Sequence, residues 1–122
     1  MEILVVENDP GVVTPITEGI ERCGHHCESS GTGEDALKMV SQKKFDLILL
    51  DIFLPDCEGH ELIPRFKETW PDIGVVTMTG YNTRELEWQV RQKGIIYYMI
   101  KPFSMKEMKD ILDHISKKRE RR

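Results

Sequence analysis

The chain has 122 residues, 39% of them hydrophobic, and a formal net charge of −4, which suits one domain with a packed core of ordinary size. That charge gives no global drive toward nucleic acid, and no apolar run approaches the roughly 18 residues that a bilayer-spanning helix needs. Cys23, Cys27 and Cys57 are an odd number of cysteines and point to a reducing cytoplasm, and Met1-Glu2-Ile3 already opens a strand, so no signal peptide is expected.

Short apolar strands alternate with amphipathic helical segments, the pattern of a parallel sheet with helices on both faces. Ile3-Leu4-Val5-Val6 is the first strand and runs into Glu7-Asn8-Asp9. A helix follows over roughly 11–23, with Asp9 as its cap, Pro10 at its first position and Gly24 as its stop. Pro15 lies inside it and removes one hydrogen bond, which predicts a kink or a tight first turn. Cys23-Gly24-His25-His26-Cys27 invites a metal reading, but no second cluster completes four ligands. Cys23 ends an apolar helical face and Cys27 takes an inward strand position, so core packing is the reading adopted.

The second strand is weak, around 27–29, and Thr32-Gly33-Glu34-Asp35 opens the second helix with a capping-box-like pattern. Phe45-Asp46-Leu47-Ile48-Leu49-Leu50 is the third strand, nearly continuous in apolar residues and so buried on both faces. The third helix is expected over 59–69, with Pro64 inside it. Ile73-Gly74-Val75-Val76 is the fourth strand and runs into Thr77-Met78-Thr79-Gly80. The fourth helix covers 83–93, with Asn82 as cap and Gly94 as stop, and the fifth strand covers 95–100 before Lys101-Pro102. The fifth helix starts at Ser104, where Glu107 completes a capping box, and reaches about residue 118. Residues 1–118 form the domain, and 119–122 are a basic tail or the start of a linker.

Asp51 ends the most buried strand, at the rim where open α/β sheets hold their ligands. Alone it is an ordinary cap or turn residue. Polar groups at the other strand ends raise its significance. Crowded carboxylates at Glu7 and Asp51, with Asn8, repel one another and would raise one another's pKa values. Oxygen-only donors favour a hard cation, Mg2+. Asp51 then suits the role of covalent nucleophile toward a phosphoryl group, with Thr79 as hydrogen-bond donor and Lys101 as a paired cation. A cis peptide at Lys101-Pro102 would aim that lysine inward.

These residues carry a resemblance. Ile3 to Pro10, the run Phe45 to Asp51 with Pro55 and Gly59 beyond it, Val75 to Gly80, and Gly94 to Phe103 with Lys101-Pro102 resemble the receiver domain of two-component response regulators. The resemblance covers nearly the whole chain. It implies an α/β, (βα)5 doubly wound, flavodoxin-like fold with a parallel sheet in the order 2-1-3-4-5. It implies Asp51 as phosphoacceptor, Glu7 and Asn8 at the acidic-pair positions, and the backbone carbonyl of Phe53 as a further ligand to Mg2+. Thr79 resembles the switch hydroxyl, Lys101 the phosphate-pairing lysine and Tyr98 the aromatic that swings inward on activation.

The implied donor is a histidine kinase or a histidine phosphotransfer protein. The resemblance also implies that the domain catalyses its own phosphotransfer and dephosphorylation and is a signalling domain rather than an enzyme. The fourth helix, fifth strand and fifth helix form the implied output surface (α4-β5-α5), open to an output domain, a partner or a second copy. No membrane contact is implied, and nucleic acid only through an output domain.

Two departures stand out. Asn8 takes a place where the family usually has an acid, and Gly80 one where alanine is common. Asn8 alone supports the alternative of a degenerate receiver acting as a phosphorylation-independent interaction module. An aspartate-nucleophile phosphatase would want an acid at position 53, where this chain has Phe53.

Overall fold

The computed structural model describes residues 1–120. Five strands and five helices alternate: β1 (Glu2–Val6), α1 (Pro10–Arg22), β2 (His26–Ser30), α2 (Gly33–Gln42), β3 (Leu47–Asp51), α3 (Ile63–Thr69), β4 (Gly74–Thr79), α4 (Arg84–Arg91), β5 (Tyr97–Ile100) and α5 (Met105–Glu120). All strand pairs are parallel, in the order β2-β1-β3-β4-β5. The expected doubly wound sheet is therefore the observed one.

Strand alternation divides the core. Ile3, Val5, Leu47 and Leu49 face one side, against Ile16 and Ile20 of α1 and Met108, Leu112 and Ile115 of α5. Leu4, Val6, Ile48 and Leu50 face the other, against Ala36 and Val40 of α2 and Ile63 and Phe66 of α3. Leu86 and Val90 of α4 pack on Ile52. Burial on both faces explains why β3 lacks a polar–apolar alternation. Among the described residues, no helix is long and apolar enough to cross a membrane.

The caps follow local chemistry. Asp9 Oδ1 accepts from the Gly11 N–H (2.9 Å), Thr32 Oγ1 from Asp35 (3.1 Å) and Ser104 Oγ from Glu107 (3.1 Å). Gly24 and Gly94 take φ of 87° and 83°, the left-handed conformation that glycine adopts at least cost after a helix. Helix α1 continues past Pro15, whose missing N–H leaves the exposed Gly11 carbonyl without its helical donor.

Several boundaries differ from the sequence expectation. The third helix starts as a 3₁₀ turn (Gly59–Leu62) and becomes α-helical at Ile63, which puts Pro64 in the first turn, where its missing N–H is no loss. The cap of α4 is Thr83, not Asn82: Thr83 Oγ1 accepts from the Leu86 N–H (3.1 Å). The strand β5 begins at Tyr97 rather than at residue 95. Helix α5 runs to Glu120, because Arg119 donates to the Asp46 carboxylate (2.9 Å) and carbonyl (3.4 Å) at the foot of β3. The last two residues of the expected basic tail, Arg121 and Arg122, lie outside the described residues.

The three cysteines are free and partly buried, and Cys27 packs against the core beneath α1 and α5. Burial pushes its thiol up to about 12, as expected of a packed thiol and not of a reactive one.

Candidate functional site

Four strand ends meet at one rim. Glu7 follows β1, Asp51 ends β3, Thr79 ends β4 and Lys101 follows β5. Glu7 is 4% and Asp51 6% exposed. The Lys101 ammonium lies 2.5 Å from Glu7 Oε2 and 3.5 Å from Asp51 Oδ2. The Lys101–Pro102 peptide is cis. Glu7 Oε1 also accepts from the Asp9 N–H (3.2 Å).

Asp51 is pushed up to about 6, first by burial and then by the charge of Glu7, while Lys101 and the Phe53 N–H oppose the shift. Two nearly buried acids thus share one ammonium. That ammonium stands where a cation is electrostatically required, and the donors around it are oxygens. The pocket therefore fits a hard divalent ion. Glu7 and Asp51 would hold it, with Asn8 and the Phe53 carbonyl on the adjoining loops as the further expected ligands. Asn8 is exposed, and its Oδ1 lies beside Gly31, only 3.4 Å from where a β-carbon there would sit. Asp9, one residue on, is occupied as the α1 cap.

Thr79 is fully buried. Its hydroxyl donates to the Tyr81 carbonyl (2.8 Å) and accepts from the Tyr81 N–H (3.1 Å). Around Gly80 nothing crowds the position of a β-carbon. The Tyr81 ring meets Phe53 edge-on, with centroids 6.0 Å apart, so the loops after β3 and β4 touch. Tyr98 is half-buried, and its hydroxyl donates to Asn82 Oδ1 (2.7 Å) with Arg91 over the ring.

The loop after β3 is tightly built. Asp56 accepts from the Gly33 and Glu34 N–H groups (2.9 and 3.0 Å), which hold its carboxyl below the usual range. Gly59 donates to the Ile52 carbonyl, and a β-carbon at Gly59 would lie 2.0 Å from the Asp51 carbonyl oxygen. Only glycine permits that approach.

The structure brings Glu7, Asp51 and Lys101 into direct contact and ends β4 at the same rim with Thr79, while Asn8 adjoins Glu7 in the chain. Tyr98 lies behind this rim, beside α4, through Asn82. Sequence reasoning missed Tyr81, for which no spacing signal exists, and took Asn82 for a cap when it is the partner of Tyr98.

The family model for the response regulator receiver domain matches residues 3–113. The chain belongs to this family. A relative, the DNA-binding transcriptional regulator NtrC of Azospirillum brasilense, is 32% identical over 91% of this receiver but only 23% of its own length. This receiver therefore spans about a quarter of that regulator. Sporulation initiation phosphotransferase F of Bacillus subtilis is 28% identical over 89% of this receiver and 88% of its own length. Among solved structures, a Burkholderia pseudomallei response regulator with a phosphorylated aspartic acid, a calcium ion and citrate superimposes with a TM-score of 0.82. It is 25% identical, over 88% of this receiver and 63% of that chain.

Proposed function

We propose that this receiver accepts a phosphoryl group on Asp51 from a histidine kinase or a histidine phosphotransfer protein, with Mg2+, and so controls a partner on its α4-β5-α5 face. The observation that carries this reading is the nearly buried Asp51–Glu7 pair sharing the Lys101 ammonium. A surface ornament does not need such an arrangement, and perturbed carboxylates of this kind cluster at functional sites. The phosphorylated aspartate and the cation in the Burkholderia pseudomallei relative point the same way.

Asp51 Oδ attacks phosphorus, the P–N bond of the donor phosphohistidine breaks, and the imidazole nitrogen leaves with the electron pair. Water later attacks phosphorus, the acyl P–O bond breaks with its electron pair returning to the Asp51 carboxylate, and inorganic phosphate leaves, the water's protons passing to phosphate and solvent. Bound Mg2+ would neutralise charge on the phosphoryl oxygens and orient them for in-line attack. Lys101 is drawn from Glu7 toward a phosphoryl oxygen and pairs with it. Thr79 leaves the Tyr81 carbonyl and donates to another. This is self-catalysed transfer and hydrolysis within a signalling domain, in the cytoplasm where such donors act. The longer relatives bring an output domain into view, and nucleic acid would be engaged only through one.

The test is incubation with acetyl phosphate and Mg2+ followed by intact-mass measurement. The chain gains one phosphoryl group and Asp51→Asn gains none. Equal gain in both, or none in either, refutes the assignment, the second outcome leaving an interaction module.

A further inference from the structure

His60 lies on the 3₁₀ turn after β3 and is 7% exposed. Both of its ring nitrogens are buried without a hydrogen-bond partner. Native structures seldom leave buried polar atoms unpaired, and each such case calls for a cause. The nearest polar group, Glu58 Oε2, is 3.7 Å from Nε2, beyond hydrogen-bond range. Glu61 contributes a second carboxylate, and the three donor atoms all lie within 4.8 Å of one another.

Among the described residues, neither Glu58 nor Glu61 has a lysine or arginine partner. The contrast with a second cluster is informative. Glu2, His26 and Glu28 also converge, but Lys43 already sits on Glu28 (2.6 Å) and Glu2 (3.1 Å), and His26 Nδ1 is 2.6 Å from Glu2. That cluster carries its own cation. The one at His60 lacks one.

We propose that Glu58, His60 and Glu61 form a binding site for a first-row transition-metal dication of the Zn2+ class, separate from the pocket at Asp51. One imidazole and two carboxylates suit such an ion, whereas Mg2+ prefers oxygen donors alone. Donors in a tetrahedral zinc site stand roughly 3.4 Å apart, given ligand distances of about 2.1 Å. The 3.7 Å between His60 and Glu58 needs little closure. Packing fixes the imidazole, and the two glutamates are exposed and long enough to move. Metal on Nε2 gives that atom the partner it lacks. Glu58 also pairs across an isolated antiparallel bridge with Phe53, so a cation here ties the turn to the loop beside Asp51.

The test is calorimetric Zn2+ titration of the full chain in excess Mg2+, with long-range 1H–15N spectra of the histidine rings. One saturable Zn2+ per chain is expected, with His60 Nε2 moving to a metal-bound shift. Affinity falls tenfold or more in Glu58→Gln and Glu61→Gln, which change exposed residues and leave the core intact. His60→Gln abolishes binding, and if it fails to fold the two glutamate variants decide alone. The proposal is overturned if no saturable binding occurs, if neither glutamate variant weakens it, or if Asp51→Asn or His26→Gln removes it.

Discussion

Asp51 resists ionisation in the folded chain, because burial and Glu7 push its carboxyl up to about 6 from 3.8. A folded-state pKa above the unfolded one means that the native form holds a proton the unfolded chain releases. Stability is therefore full below pH 4 for this group and falls as pH rises from about 4 to 6, by an amount on the order of 1–3 kcal/mol once solvent screening is allowed for. In metal-free buffer at pH 7.5, Asp51→Asn should stabilise the chain by a substantial part of that amount, and the gain should vanish near pH 4. Denaturant titrations at the two pH values check this, and a destabilised variant at pH 7.5 would contradict it. Asn8 concerns the same electrostatics. An added unit charge near a divalent ion supplies roughly 1 kcal/mol or more at a partly solvated dielectric, so Asn8→Asp should tighten Mg2+ severalfold. An unchanged titration would mean that position 8 faces Gly31 rather than the ion. At this scale the sequence located the rim, because Glu7, Asp51, Thr79 and Lys101 each end a recognisable apolar run. It did not reveal their resting partners. That Lys101 rests on Glu7, and Thr79 on Tyr81, depends on long-range geometry.

At the scale of elements, the loop from Ile52 to Gly59 holds the pocket by backbone contacts that no periodicity announces. Gly59 packs against the Asp51 carbonyl, and Asp56 caps α2. Gly59→Ala should force the loop away, with a loss of about 1–3 kcal/mol in stability from overpacking and weaker Mg2+ binding, because Phe53 shifts with the loop. Thermal melts and a Mg2+ titration would measure both, and a variant with wild-type values would remove the loop from the account. Helix starts were legible wherever Ser, Thr or Asp offered one cap, as at Asp9, Thr32 and Ser104. At Asn82-Thr83 two good caps adjoin, and tertiary context chose between them: Asn82 is drawn away by the Tyr98 hydroxyl. The length of α5 was hidden for a similar reason, since Arg119 finds Asp46 across 73 residues.

Across the whole molecule, the proposed switch joins the rim to the outer face in two steps. Thr79 exchanges Tyr81 for phosphate, a charge-assisted bond of about 1.5–3 kcal/mol. Tyr81 then leaves Phe53, and Asn82 releases Tyr98 beside α4. A ligand moves such an equilibrium only by its differential interaction with the two states, so a shift of roughly tenfold or more is the scale expected. Trp88, Ile96 and Ile100 leave apolar area exposed on α4 and around β5, where a partner would register the change. The most direct measurement compares amide spectra of the full chain with and without beryllofluoride and Mg2+. Shifts should run from Asp51 through Thr79, Tyr81 and Asn82 to Tyr98 and along residues 84–91. Changes confined to the neighbourhood of Asp51, with Tyr98 and α4 unmoved, would contradict the switch.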